Sequence, residues 1–284
     1  MQVLSSARPS PIAGTWYEGD PQSLARSVDT YMDEASLPDL PGEVVAVIAP
    51  HAGHRYSGAV AGYAFAALRG RSFDLAAVIA PMHHPYREPL LTTSHAAYAT
   101  PLGNVPVDRE ALDELDEALQ ASLGFGLTAV SNDPEHSLEI ELPFLQRALA
   151  GDFKLLPVMV RAQQQAVSQV LGKALAGALR GKNAILVAST DLSHFYAQET
   201  ALRLDRAMLE QVESFSPEGI FQAERSGKGF ACGHAAMAAV LWAARELGAD
   251  TVKVLRHATS GDVSGDYNGV VGYAAAVVLT SHSP

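Results

Sequence analysis

VVAVIAPHAGHRYSG, residues 44–58, decides how the chain is read. Its first six residues are small, apolar and mostly β-branched, with no polar alternation. That is the pattern of a strand covered on both faces. The remainder packs His51, His54, Arg55, Tyr56 and Ser57 into the segment that follows. In an α/β sheet, ligands bind where loops leave the carboxyl ends of the strands, so this placement points to a site.

The same kind of apolar run recurs at LAAVIA (75–80), KLLPVMV (154–160), AILVAS (184–189), TVKVLRHA (251–258) and VVGYAAAVVL (270–279). Amphipathic stretches separate them at 21–34, 57–68, 108–122, 138–150, 163–179, 199–212 and 231–247. The first of these follows Asp20, a suitable N-cap, and has Pro21 at its first position. Alternating strand and helix patterns predict an α/β fold. The expected form is a single-domain three-layer sandwich over residues 1–284, with a mostly parallel or mixed central sheet and helices on both faces. No linker, low-complexity tract or internal repeat interrupts the pattern.

At 48% hydrophobic and 18% charged residues, the 284-residue chain has the composition of a globular protein with a sizeable core. Its formal net charge of −11 argues against nucleic acid or an anionic membrane as the main partner. No apolar run is long enough to span a bilayer, and the N-terminus lacks a signal-peptide pattern, so a cytoplasmic location is expected. The single cysteine, Cys232, cannot form an internal disulfide.

Polar clusters follow the other strands too. PMHHPYRE (81–88) brings His83 and His84, and STDLSHFY (189–196) brings Asp191 and His194. TSGDVSGDYNG (259–269) joins the last two candidate strands and carries Asp262 and Asp266. DPEHSLEIELPFLQ (133–146) adds Glu135, His136 and Glu139, and KGFACGH (228–234) sets Cys232 beside Gly233 and His234. Seven of the ten histidines lie in these segments, the others being His95, His257 and His282. Imidazoles from two strand ends plus a thiolate make a three-ligand transition-metal site with open positions. A helix N-terminus at Cys232 would favour the thiolate. Each residue also has a plainer reading: His84, His136 and His234 as partners of loop backbone, Asp191 as a turn residue, Glu135 and Glu139 as first-turn acids. No GxSxG elbow supports a serine hydrolase.

Taken in order, RPSPIAGTWYEGD (8–20), APHAGHRYSG, PMHHP, EHSLEIELPFLQ, STDLSHF, ACGH and TSGDVSGD resemble the Memo family. Its prokaryotic members are also called AmmeMemoRadiSam system protein B. The resemblance runs from about residue 8 to 279. Memo proteins are similar in fold to class III extradiol dioxygenases, which cleave catechol-type rings with non-haem Fe(II). The resemblance implies His51, one histidine of the adjacent pair (His83 ahead of His84) and Cys232 as metal ligands, Fe(II) as the ion with Zn or Cu as alternatives, and His194 as the acid/base histidine with Asp191 beside it as the catalytic residues. Glu139, His136, His84, Arg55 and His234 would line the pocket or support the ligands. Where the family commonly reads PSHH this chain has Met82, and a tyrosine often seen after HAG is His54 here. A thiolate replaces the dioxygenases' carboxylate ligand, and it is softer and itself oxidisable. The expected function is a metal-dependent, dioxygenase-like oxidoreductase. The alternative is a binding module in which Arg55, His51 and the helix at Cys232 hold a phosphotyrosine-like or other anionic ligand. The family's system name implies a radical SAM protein as partner.

Overall fold

The computed structural model describes residues 4–281, which leaves His282 outside the described residues. In chain order the elements are β1 (Leu4–Arg8), α1 (Pro21–Asp33), β2 (Glu43–Ala49), α2 (His54–Ala66), β3 (Leu75–Pro81), β4 (Leu90–Thr93), β5 (His95–Thr100) and β6 (Gly103–Pro106). Then come α3 (Arg109–Leu123), β7 (Thr128–Val130), a 3₁₀ turn (Glu139–Glu141), α4 (Leu142–Ala148), β8 (Lys154–Val160), α5 (Gln165–Leu179) and β9 (Ala184–Ser189). The chain continues through β10 (His194–Tyr196), α6 (Gln198–Glu213), α7 (Pro217–Arg225), α8 (His234–Glu246), β11 (Thr251–Thr259), α9 (Gly261–Ser264) and β12 (Val270–Thr280).

All six apolar runs are strands of one mixed sheet. Its order from one edge is β11-β12-β2-β9-β3-β8-β4-β7, with β10 paired to the start of β12. The centre β2-β9-β3-β8 is parallel, and β12 and β4 flank it antiparallel. β3 is buried along its whole length, as a strand covered on both faces must be. Helix α8 covers β9, β3 and β2 and packs on α5, while α2, with α1 and α4, covers β12, β11 and β2. Gly62 lets α1 and α2 approach closely, since a Cβ there would lie 2.3 Å from the Tyr31 carbonyl oxygen. No helix among the described residues is long and apolar enough to cross a membrane.

Three departures from the sequence reading bear on the site. A separate small sheet, β1-β5-β6, stands beside the main one. The helix expected over 138–150 begins as the 3₁₀ turn, and α4 starts only at Leu142. Pro143 is the reason: without an N–H it fits the first turn of a helix but not the interior. Helix α2 starts three residues earlier than expected, so His54 and Arg55 sit in its first turn rather than before it.

The strand order places the site. β9 comes late in sequence and inserts between β2 and β3, so the carboxyl ends of three adjacent parallel strands lie side by side. His51 follows the first, His83 the third, and Asp191 with His194 the middle one.

Candidate metal centre

His51, His83 and His136 converge, with one ligating atom from each within 4.8 Å of the others. His83, not His84, is the member of the pair that joins the cluster. The rings of His83 and His136 stack at 4.9 Å, and His51 meets both nearly edge-on at 5.2 and 5.4 Å. Trp16, itself partly exposed, lies against His136 with ring centroids 4.2 Å apart.

The hydrogen bonds fix which nitrogen of each ring is free. His51 Nδ1 lies 2.9 Å from Ser189 Oγ, and that hydroxyl donates to Ser137 O at 2.6 Å. With the hydroxyl proton committed to a carbonyl, His51 Nδ1–H must be the donor to Oγ, leaving Nε2 with its lone pair. His83 Nδ1 donates to Glu135 Oε1 at 2.9 Å, which leaves its Nε2 free in the same way. Carboxylate and hydroxyl partners behind a ligating imidazole are the usual support for metal binding.

Glu135 is the organiser of this corner. Oε1 also accepts the His136 and Ser137 backbone N–H groups, and Oε2 accepts the His83 N–H at 2.6 Å. Burial works to raise its carboxyl pKa, but the hydrogen bond from the His83 ring and those from the backbone hold it well below the usual carboxylate range. His136 Nδ1 lies 3.3 Å from Glu135 Oε1, and burial brings the ring's pKa down to about 4. Burial and its two histidine neighbours likewise push His51 well below its ordinary value. Neutral imidazoles are the ligating form.

Cys232 Sγ lies 3.1 Å from His51 Nε2. The Asp191 backbone N–H points to the sulfur at 3.4 Å, and Cys232 N–H donates to Asp191 O at 3.2 Å. The helix-dipole expectation for this thiol is outweighed, since α8 begins only at His234. Burial, then the Asp191 carboxylate, push its pKa up and keep the proton on sulfur. The turn is tight: a Cβ at Gly233 would come within 2.5 Å of Ser189 O.

Asp191 is buried and its Oδ1 accepts the His51 N–H at 2.8 Å. Burial raises its carboxyl pKa to about 7. His194 donates Nδ1–H to Leu192 O at 2.7 Å, leaving Nε2 as the acceptor. His234 sits at the start of α8 with Nδ1 on Ala231 O at 3.1 Å and its ring edge-on to Phe221. Arg55 is exposed, its guanidinium over the Tyr56 ring at 5.7 Å. His54 is a core residue: Nε2–H donates to Ile140 O, and its ring lies among Tyr17, Tyr31 and Phe144.

A family model described as Memo-like protein matches residues 8–277, nearly the whole chain. The chain belongs to the Memo family. It is 32% identical over 268 residues to a MEMO1 family protein of Nitrosopumilus maritimus, covering 93% of this chain and 96% of that protein. A MEMO1 family protein of Methanosarcina mazei is 35% identical over 243 residues, 83% of this chain and 86% of its own length.

In this Memo-family chain, three residues near the site depart from the sequence reading: two escape it and one takes a different partner. Arg8, fully buried at the end of β1, donates to Asp133 Oδ2 at 2.9 Å and Oδ1 at 2.8 Å. It also reaches the Asp133 and Glu135 carbonyls at 3.0 and 2.6 Å, and Glu139 Oε2 at 2.5 Å. The guanidinium thus clamps the segment that carries Glu135 and His136. Glu139 was expected to orient the histidines; its carboxylate instead takes Arg8, the Tyr17 hydroxyl at 2.7 Å, and Ser10. Glu135 does the orienting. The third is Glu141, buried with its carboxyl beside Ser189 and neither oxygen in full hydrogen-bond geometry with a donor. Burial raises its pKa well above the ordinary value, so it is a neutral acid inside the fold.

Proposed function

We propose that this Memo-family protein is a metal-dependent, dioxygenase-like oxidoreductase with Fe(II) as its ion. His51 and His83 would anchor the ion through Nε2, with His136 and Cys232 as the flanking donors. The observation that carries this is the tying of both Nδ1 atoms, to Ser189 and to Glu135, which leaves Nε2 as the nitrogen each ring offers, in two rings whose ligating atoms gather in one small space. Bound there, Fe(II) would supply a Lewis-acid and one-electron redox centre. Coordination by Cys232 requires the thiol to give up its proton, so this donor comes into play as pH rises.

The chain's own groups supply the rest. His194 holds its Nδ1 proton on Leu192 O, which makes Nε2 the atom that takes a proton from a bound substrate. Asp191 keeps His51 in place through its backbone N–H and stands beside Cys232 through its own. The exposed Phe195 follows His194, its ring edge-on at 5.8 Å, and Trp16 covers His136, so aromatic surface borders the centre.

The test is oxygen uptake by anaerobically iron-loaded protein across a panel of catechol-type compounds. Uptake that His194→Gln abolishes while retaining the ion supports the reading. Loaded protein that consumes no oxygen with any of them overturns the oxidoreductase reading and leaves the metal centre to be judged on ion content.

A further inference from the structure

Cys232 has a second environment. A cavity of about 470 Å³ has this residue in its wall, together with Phe221, Phe230, Glu224, Arg225 and His234. The volume suits a small organic molecule. Phe230 also meets His194 edge-on at 5.6 Å, so the cavity adjoins both the thiol and the proton acceptor of the candidate centre.

Its walls divide into an apolar and an acceptor part. Phe221 is buried, and Phe230, half-buried, offers the second aromatic surface. Among the described residues Glu224 is the only carboxylate in the lining, with its side chain 22% exposed. Its Oε2 accepts the Ala231 N–H at 3.2 Å, and among the described residues no lysine or arginine pairs with it. His234 Nδ1 lies 4.0 Å from that oxygen but donates to Ala231 O, which leaves Nε2 as a second acceptor. Arg225 is exposed and already donates to Gln165 Oε1 at 3.1 Å.

A half-buried carboxylate without a cation, set beside aromatic rings, is the surrounding an ammonium group prefers. The carboxylate gives a charge-assisted hydrogen bond and the ring faces attract positive charge. We propose that this cavity binds an organic ammonium, a small molecule whose protonated amine meets Glu224 and whose compact apolar body lies against Phe221 and Phe230. The protein's net charge of −11 favours approach of such a cation. An anionic ligand finds Glu224 in its way, and Arg55 does not line the cavity. The proposal rests on the metal-centre reading only for the closeness to Cys232.

Calorimetric titration of the full chain with phenethylamine, against 3-phenylpropionate as the like-sized anion, tests it. Phenethylamine binds and the anion binds more weakly. Glu224→Gln lowers phenethylamine affinity by about tenfold or more, the scale of one charge-assisted bond, and Phe230→Ala also weakens it. His51→Ala, which removes a metal anchor, leaves phenethylamine binding in place. Wild-type protein that holds no metal yet binds phenethylamine would separate the two readings, sinking the metal centre and keeping the amine site. Failure of phenethylamine to bind wild-type protein, equal or tighter binding of 3-phenylpropionate, or unchanged affinity in Glu224→Gln overturns the proposal.

Discussion

Replacing Arg8 with Met removes the group that holds the His136 segment, and the cost can be worked from its contacts. The guanidinium is 1% exposed and bridges two buried carboxylates, Asp133 and Glu139. Breaking a buried ion pair by deleting one partner costs about 3–5 kcal/mol, because the remaining charge is stranded. Each carbonyl left without its donor, on Asp133 and Glu135, adds about 1–3 kcal/mol. A loss of at least about 5 kcal/mol is therefore expected, a large share of the 5–15 kcal/mol or so that holds a typical protein folded. Equilibrium urea unfolding of metal-free protein reads it directly. Arg8→Lys keeps the charge but cannot serve five acceptors from one ammonium, so it falls between Arg8→Met and wild type. Adding Asp133→Asn and Glu139→Gln to Arg8→Met should recover part of the loss, since the stranded charges are gone. An Arg8→Met protein within about 1 kcal/mol of wild type, below the floor for breaking a buried pair, would refute the clamp.

Three further outcomes follow from the same contacts. Glu141 keeps its proton in the fold while the unfolded chain releases it above the ordinary value of 4.5, so the folded state binds more protons. Stability conferred by wild-type Glu141 relative to Glu141→Gln therefore falls as pH rises from there, by up to about 1.4 kcal/mol per unit, and parallel urea curves at several pH values measure it. A pH-independent difference between the two proteins would show that Glu141 does not stay neutral. Gly233→Ala forces a Cβ to 2.5 Å from Ser189 O, so the Cys232 turn must shift; thermal unfolding should fall, and a midpoint equal to wild type would contradict the packing. Glu135→Gln leaves shape intact but replaces the carboxylate that orients His83, and metal affinity should drop by about 10–100-fold, as read by competition with a chelating dye.

The legible part of the fold was the part buried on both faces. VVAVIA, LAAVIA and AILVAS announce themselves because strands under two helical layers need no polar alternation. The short strands β4, β5, β6 and β7 and the helix α7 were not seen: LLTT and HAAYAT mix polar and apolar residues, and nothing in a three-residue TAV distinguishes a strand. At the site, His51, His83, Asp191, His194 and Cys232 could be named because each follows a strand or opens a helix. His136 was visible only as a supporting residue, since its loop leaves from no central strand and is brought in by Arg8 from 125 residues away. Glu139 lies in a 3₁₀ turn that aims it at Arg8, a geometry the helical pattern over 138–150 does not show, and Glu135 holds His83 in its place. Arg8 and Glu141 are buried charges, or would-be charges, whose burial only the assembled fold reveals.

Elemental analysis of anaerobically purified protein, wild type beside His51→Ala and His83→Ala, tests the central claim most directly. The arrangement of His51 and His83 predicts a single transition-metal ion per chain in the wild type, with iron the ion found, and its loss in either variant while the fold persists by circular dichroism. Wild-type protein that takes up no ion, or variants that retain it in full, would contradict the account.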